Sequence, residues 1–195
     1  MPISNENFGA VILLSELHIQ CSLFQRYAEH LESAAQHWID IGKGIDDGKK
    51  SAPLDIVAYC TVCLAAMAAI RRLIIAGEKG RKPQHRRRAL QKLLGDPALP
   101  VIASPTVRNS WEHLDDRLDS LLPTLKGGSV SQIHVSTTPL KETIALKRFD
   151  PVEFAIHFAD QRIELWPALS EINLLSARVD EAMHRLQNET VAIWP

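Results

Sequence analysis

The residues best suited to chemistry lie in one short run. Arg108-Asn109-Ser110-Trp111-Glu112-His113-Leu114-Asp115-Asp116-Arg117-Leu118-Asp119 brings together an imidazole, an amide, carboxylates and guanidinium groups. On an α-helix, at about 100° per residue, Val107, Trp111, Leu114, Leu118 and Leu121 make an apolar stripe. Asn109, His113, Asp116 and Ser120 then form a polar row on the opposite side, with Arg108 at its flank one turn from Glu112. Such a row suits acid–base work on a phosphodiester. An imidazole moves a proton, and a guanidinium stabilises charge developing on the phosphoryl oxygens. The same residue types also make exposed ion pairs worth little energy, so residue types alone do not choose between chemistry and a solvated face.

The run Arg108-Asn109-x-x-x-His113 resembles the Arg-polar-x-His signature of the HEPN superfamily. There the Arg and His are separated by four to six residues, and the residue after Arg is commonly Asn, Asp or His. Arg178 and His184 also have a permitted spacing, but Val179 follows that arginine. The resemblance implies a helical bundle and, for many members, a metal-independent RNA endonuclease of toxin or defence type, built as a homodimer with a composite site. His113 would then transfer the proton at the ribose 2′-hydroxyl or the leaving oxygen. Arg108 would stabilise the phosphorane and Asn109 would orient the histidine or the phosphate. Products would be a 2′,3′-cyclic phosphate and a 5′-hydroxyl, with no metal or other cofactor. RNA and an antitoxin, or another protein, are the implied partners. The alternative is a catalytically inactive HEPN-like module binding nucleotide, RNA or a protein. A third reading is a structural bundle whose motif is an ion-paired dimer seam. Glu112, Asp115, Asp116 and Asp119 load the motif helix with negative charge, which repels a phosphate unless nearby cations offset it.

A source of cations exists elsewhere in the chain. The formal charge of the 195 residues is −1, but residues 71–92 hold nine basic side chains and one acid, Glu78. That segment is therefore +8 and the remainder −9. A local excess of this size holds a phosphate backbone even where the total is near zero. Arg81, Lys82, Arg86, Arg87 and Arg88 are the expected substrate-binding set. No aromatic residue interrupts 79–88, so the expectation is a backbone grip without base stacking.

The elements that would position these groups follow from apolar periodicity. Leu17, Cys21, Phe24, Ala28, Leu31, Ala35 and Trp38 alternate steps of four and three, predicting a long first helix. A second helix starts near Pro53 and runs to about Ala76. A short basic helix spans 84–94 and closes at Gly95, and 96–105 reads as a proline-rich connecting loop. Ser104 is placed to cap the motif helix. Alternation of Ile144 with Leu146, and of Phe154 with Ile156 and Phe158, about an Asp150-Pro151 turn, predicts a β-hairpin within 142–165. A last helix opens at Trp166-Pro167, with Leu169, Ile172, Leu175 or Ser176, Val179, Met183 and Leu186 turned inward.

The expected architecture is mainly α: an up-and-down bundle of about five helices, with a small accessory β-hairpin, of two or three strands, near 142–165. It forms a single HEPN-like domain over 1–195. Segregated helices and strands, with no Gly-rich phosphate loop, argue against a doubly wound nucleotide fold. GxSxG and HExxH are absent, which removes the common hydrolase and zinc-protease signatures. Three cysteines and no secretory signal predict a cytoplasmic protein with reduced thiols and no membrane association. Cys60-x-x-Cys63 has metal-ligand spacing but no second ligand pair, and reads as core. The uncharged 15 residues from Ile56 to Ile70 are read as a buried helix, too short to span a bilayer.

Overall fold

The computed structural model describes residues 5–45, 48, 52–75, 81–104, 129–131, 134–136, 143–145, 147–158 and 161–191. Their order is α1 (Asn5–Gly42), α2 (Pro53–Ile74), α3 (Arg81–Leu94), α4 (Pro100–Ala103), β1 (Ser129–Ser131), β2 (His134–Val135), β3 (Thr143–Ala145), β4 (Lys147–Asp150), β5 (Ala155–Phe158), β6 (Gln161–Glu164) and α5 (Leu165–Val191). The chain is mainly helical, with a small four-strand sheet.

Helix α1 is the spine. Its predicted stripe is buried from Leu17 to Ala35, and Trp38 packs against the same core partly covered. Both α2 and α5 run along it. His18 Nδ1 lies 3.0 Å from an oxygen of Asp180, and Gln25 Nε2 donates to Asn173 Oδ1 at 2.8 Å. A step of seven residues forward on α1 is thus a step of seven backward on α5, so the two helices are antiparallel. Cys63 Sγ reaches the Phe24 carbonyl at 4.0 Å, while Tyr59 meets Tyr27 and His30. That pairing makes α2 antiparallel to α1 as well.

Helix α2 begins as Pro53 allows, with the Asp55 carboxylate accepting the Ala52 N–H at 3.2 Å. It continues through Arg71-Arg72 to Ile74, close to the expected end near Ala76. Among the described residues it is the one helix long and apolar enough to cross a membrane. Here it is a packed element, with Ile56, Cys60, Cys63, Met67 and Ile70 buried against the core. All three cysteines are free and buried. Burial pushes the thiols of Cys21 and Cys63 up to about 12, and that of Cys60 up as well, so they are inert thiols.

The accessory expected as two or three strands near 142–165 is larger and begins earlier in the chain. β4, β5 and β6 form an antiparallel meander, and β2 adds to β4 in parallel; β1 and β3 make a separate two-strand parallel ladder. Val135, Phe149, Ile156 and Ile163 form one cross-strand row, and its apolar face packs on the first half of α2. Phe154, expected to alternate within a strand, lies in the turn at φ +48°. Its ring is held edge-on to Phe149 and against Trp166 at 4.6 Å, burial that offsets the unfavourable backbone. The Phe154 carbonyl accepts the Leu165 N–H at 3.0 Å, joining the sheet to the start of α5.

The loop expected at 96–105 contains a helical turn, α4, and its ends are held from α5. The Glu171 carboxylate accepts the N–H groups of Val101 and Ile102 at 2.8 and 3.0 Å. Arg178 Nη1 donates to the Leu94 carbonyl at 2.8 Å, and Arg185 Nη2 to that of Leu93 at 2.7 Å. Gly95 turns the chain between them at φ +71°, and a Cβ there would lie 2.9 Å from Arg178 Nη1. Replacing Glu171 with Ala leaves two part-buried N–H groups without their acceptor, at a cost of about 2 kcal/mol. Glu171→Gln, which keeps one acceptor oxygen, should lose less. Urea unfolding checks both; an Ala variant as stable as the parent would mean that the clamp contributes nothing.

Candidate functional site

Arg108, Asn109 and His113, the expected catalytic set, lie outside the described residues. The expected grip is described in part. Arg81 and Lys82 open α3, and their side chains lie outside the description. Arg86 is turned inward: its Nη2 donates to the Arg72 carbonyl at 2.7 Å, closing the end of α2. Arg71 acts similarly, its Nε donating to the Ala103 carbonyl at 3.2 Å. Arg87 and Arg88 are exposed on α3, and Lys92 lies one turn further on. The +8 segment therefore divides by task, with some cations ending helices and others facing out.

Helix α3 is laid down by a simple amphipathic pattern. Leu90 and Leu94 are buried, while Arg87 and Gln91, one turn apart, flank them. Between α3, the end of α2 and the 95–103 connector is a cavity of about 380 Å³. Ile74, Ile75, Leu90 and Leu99 give it apolar walls, and Arg87, Gln91 and Asp96 give it polar ones. Gln91 Nε2 donates to Asp96 Oδ1 at 3.3 Å, so those two groups form one polar edge. Ala103 lines the same cavity. Five further residues lead to Arg108, and a chain of that length reaches at most about 17 Å. The basic helix and the end of α4 thus border a single cavity. Sequence reasoning missed it because its walls come from three elements, and only the prolines of the connector hinted at a fixed path.

The second polar constellation, also missed, is the sheet face opposite the apolar row. His134, Arg148, His157 and Arg162 are direct cross-strand neighbours, a row of roughly 14 Å at ordinary strand spacing. Asp150 is buried beside them with its carboxylate fully engaged. Oδ1 accepts the Val152 and Glu153 N–H groups at 3.0 Å each, and Oδ2 accepts Arg148 Nη1 at 3.1 Å. Arg148 also donates to the Ser136 carbonyl, and Arg162 bridges Glu153 and Glu164.

Asp150, Glu153 and His157 bring three potential ligand atoms within 4.8 Å of one another. The carboxylates are nevertheless already held by two guanidinium groups, which would repel a cation placed among them. This face is a compensated ion network that fixes the turn after β4. The carboxylates of Asp150 and Glu153 pull the other way, but burial first, then Arg148 and Arg162, hold the His157 imidazole below its ordinary value.

Comparison of the chain with protein-family models, with curated proteins and with solved structures finds no match. Function is therefore to be read from the residues themselves.

The depressed value of His157 has a consequence for stability. The folded imidazole resists a proton that the unfolded chain accepts. Stability from this group is complete above its ordinary value of 6.5 and is lost as pH falls through the folded value. Between about pH 7.5 and about pH 5 the parent protein should lose more unfolding free energy than His157→Gln does. Urea unfolding at the two values measures it; equal losses in both proteins would remove His157 as the source.

Proposed function

We propose that this protein is a HEPN-like, metal-independent endoribonuclease that works as a homodimer, with its helices arranged as an up-and-down bundle. In this reading Arg108, Asn109 and His113 do the chemistry and the outward face of α3 holds the RNA backbone. The motif spacing motivates the reaction. The observation that carries the assignment of partner is that the outward-facing Arg87 borders a cavity walled by the 95–103 connector, which is clamped at both ends. A strand lying over α3 would then pass Ala103, on the chain that continues toward the motif. The balanced formal charge does not oppose this, because Arg87, Arg88 and Lys92 concentrate exposed cations on α3. A toxin or defence role, with a protein antitoxin as partner and a cytoplasmic location, accompanies the reading.

Two measurements test it. Purified protein in chelator should cleave single-stranded RNA to fragments ending in 2′,3′-cyclic phosphate, and Arg108→Ala with His113→Ala should abolish the cleavage. A double variant that cuts like the parent ends the catalytic reading. For the grip, Arg87→Ala with Arg88→Ala should weaken RNA binding and flatten its salt dependence, by about 0.7 in the log–log slope for each phosphate no longer neutralised. An unchanged slope would show these residues to be a solvated face only.

A further inference from the structure

We propose that the cavity beside α3 is a subsite for a single guanine nucleotide. It would place the base between apolar walls, the Watson–Crick edge on Gln91 and Asp96, and the phosphate on Arg87. The inference rests on the RNA reading above only in taking that nucleotide as one residue of a strand.

Three properties of the cavity converge on this ligand. Its volume of about 380 Å³ is at the small end of ligand pockets and suits one nucleotide better than two. Its apolar lining is aliphatic, from Ile74, Ile75, Leu90, Leu99 and the connector prolines, surfaces that accept the face of a flat ring. Its polar groups are divided. Gln91 and Asp96 form one hydrogen-bonded edge, while Arg87 lies a turn back along α3, leaving its guanidinium free to meet an anion away from the carboxylate. An alkyl carboxylate would satisfy Arg87 but make no use of the Gln91–Asp96 edge.

The edge itself selects the base. A carboxylate only accepts hydrogen bonds. Guanine offers N1–H and N2–H side by side to such a group, whereas adenine turns the N1 lone pair toward it. One Nε2 hydrogen of Gln91 is committed to Asp96, and the other remains to donate to guanine O6. Adenine presents a donor at that position instead. Guanine therefore matches all three groups, and adenine clashes at two.

The test is calorimetric titration of the full chain with GMP, AMP and guanosine, alongside binding of a short unstructured RNA containing one guanine. GMP should bind about tenfold or more tightly than AMP, the scale of one good edge-reading hydrogen-bond pair. Asp96→Asn should remove that preference, and Arg87→Ala should reduce GMP to the affinity of guanosine. Asp96 and Arg87 are both exposed, and melting temperatures confirm that the variants fold. Equal affinities for GMP and AMP, or a preference that survives Asp96→Asn, overturn the subsite. RNA binding that GMP fails to compete overturns the subsite and leaves the RNA reading standing. Selective GMP binding without RNA binding supports the subsite and overturns the RNA reading.

Discussion

The arrangement depends on how the ends of its helices are satisfied. A helix ends in carbonyl groups and begins in N–H groups that have no partner within it, and near a core those groups need one. Here the partners come from other helices. Glu171 takes the first N–H groups of α4, while Arg178 and Arg185 take the last carbonyls of α3. Arg86 takes a carbonyl near the end of α2, and Arg71 one at the end of α4. Charge-assisted bonds of this kind contribute more than neutral ones, roughly 1.5–3 kcal/mol each. They also carry direction, which apolar packing does not. The 95–103 connector follows one path because both ends are bound to α5, at points about two turns apart.

That use of charge changes the meaning of the basic segment. A run of nine cations against one acid looks like a uniform patch in the sequence. In the fold, Arg71 and Arg86 have inward duties as helix terminators, while Arg87 and Arg88 are left outside. The sheet shows the same economy with opposite signs. Arg148 and two backbone N–H groups claim the Asp150 carboxylate at the head of a turn, and Arg162 is shared between two glutamates. Ionic groups are structural wherever a backbone end or a buried carboxylate claims them. Only the remainder is free to meet a ligand.

How much of this is legible in the sequence depends on distance along the chain. The stripes of α1 and α5 are plain, because a 3.6-residue period is local and survives any tertiary detail. The basic helix and its stop at Gly95 are legible for the same reason, since a glycine at positive φ leaves a mark in sequence. The sheet reads as too small. Its strands are two to four residues long, and β2 joins β4 in parallel, a pairing no local alternation encodes. Phe154 misleads because an apolar residue in a tight turn keeps the rhythm of a strand. The cavity is invisible because three separate elements wall it. The motif at 108–113 is legible as residues and spacing, but its placement lies outside the described residues.

The electrostatics of the proposed site constrain where an RNA strand must lie. The motif run carries Glu112, Asp115, Asp116 and Asp119, and a phosphate brought there alone would be repelled. At physiological ionic strength charges are screened over about 8 Å, so cations elsewhere on the surface give no relief. The offset has to come from guanidinium groups within that distance of the same strand: Arg108 itself, Arg87 and Arg88 across the connector, or those of a second copy. A rigid connector satisfies the requirement better than a mobile one, because a cation that samples many positions contributes its attraction in few of them. The clamp of Glu171 and Arg178 thus serves both stability and this reading of function. It fixes the distance between the helix that would hold the backbone and the chain that leads to the motif.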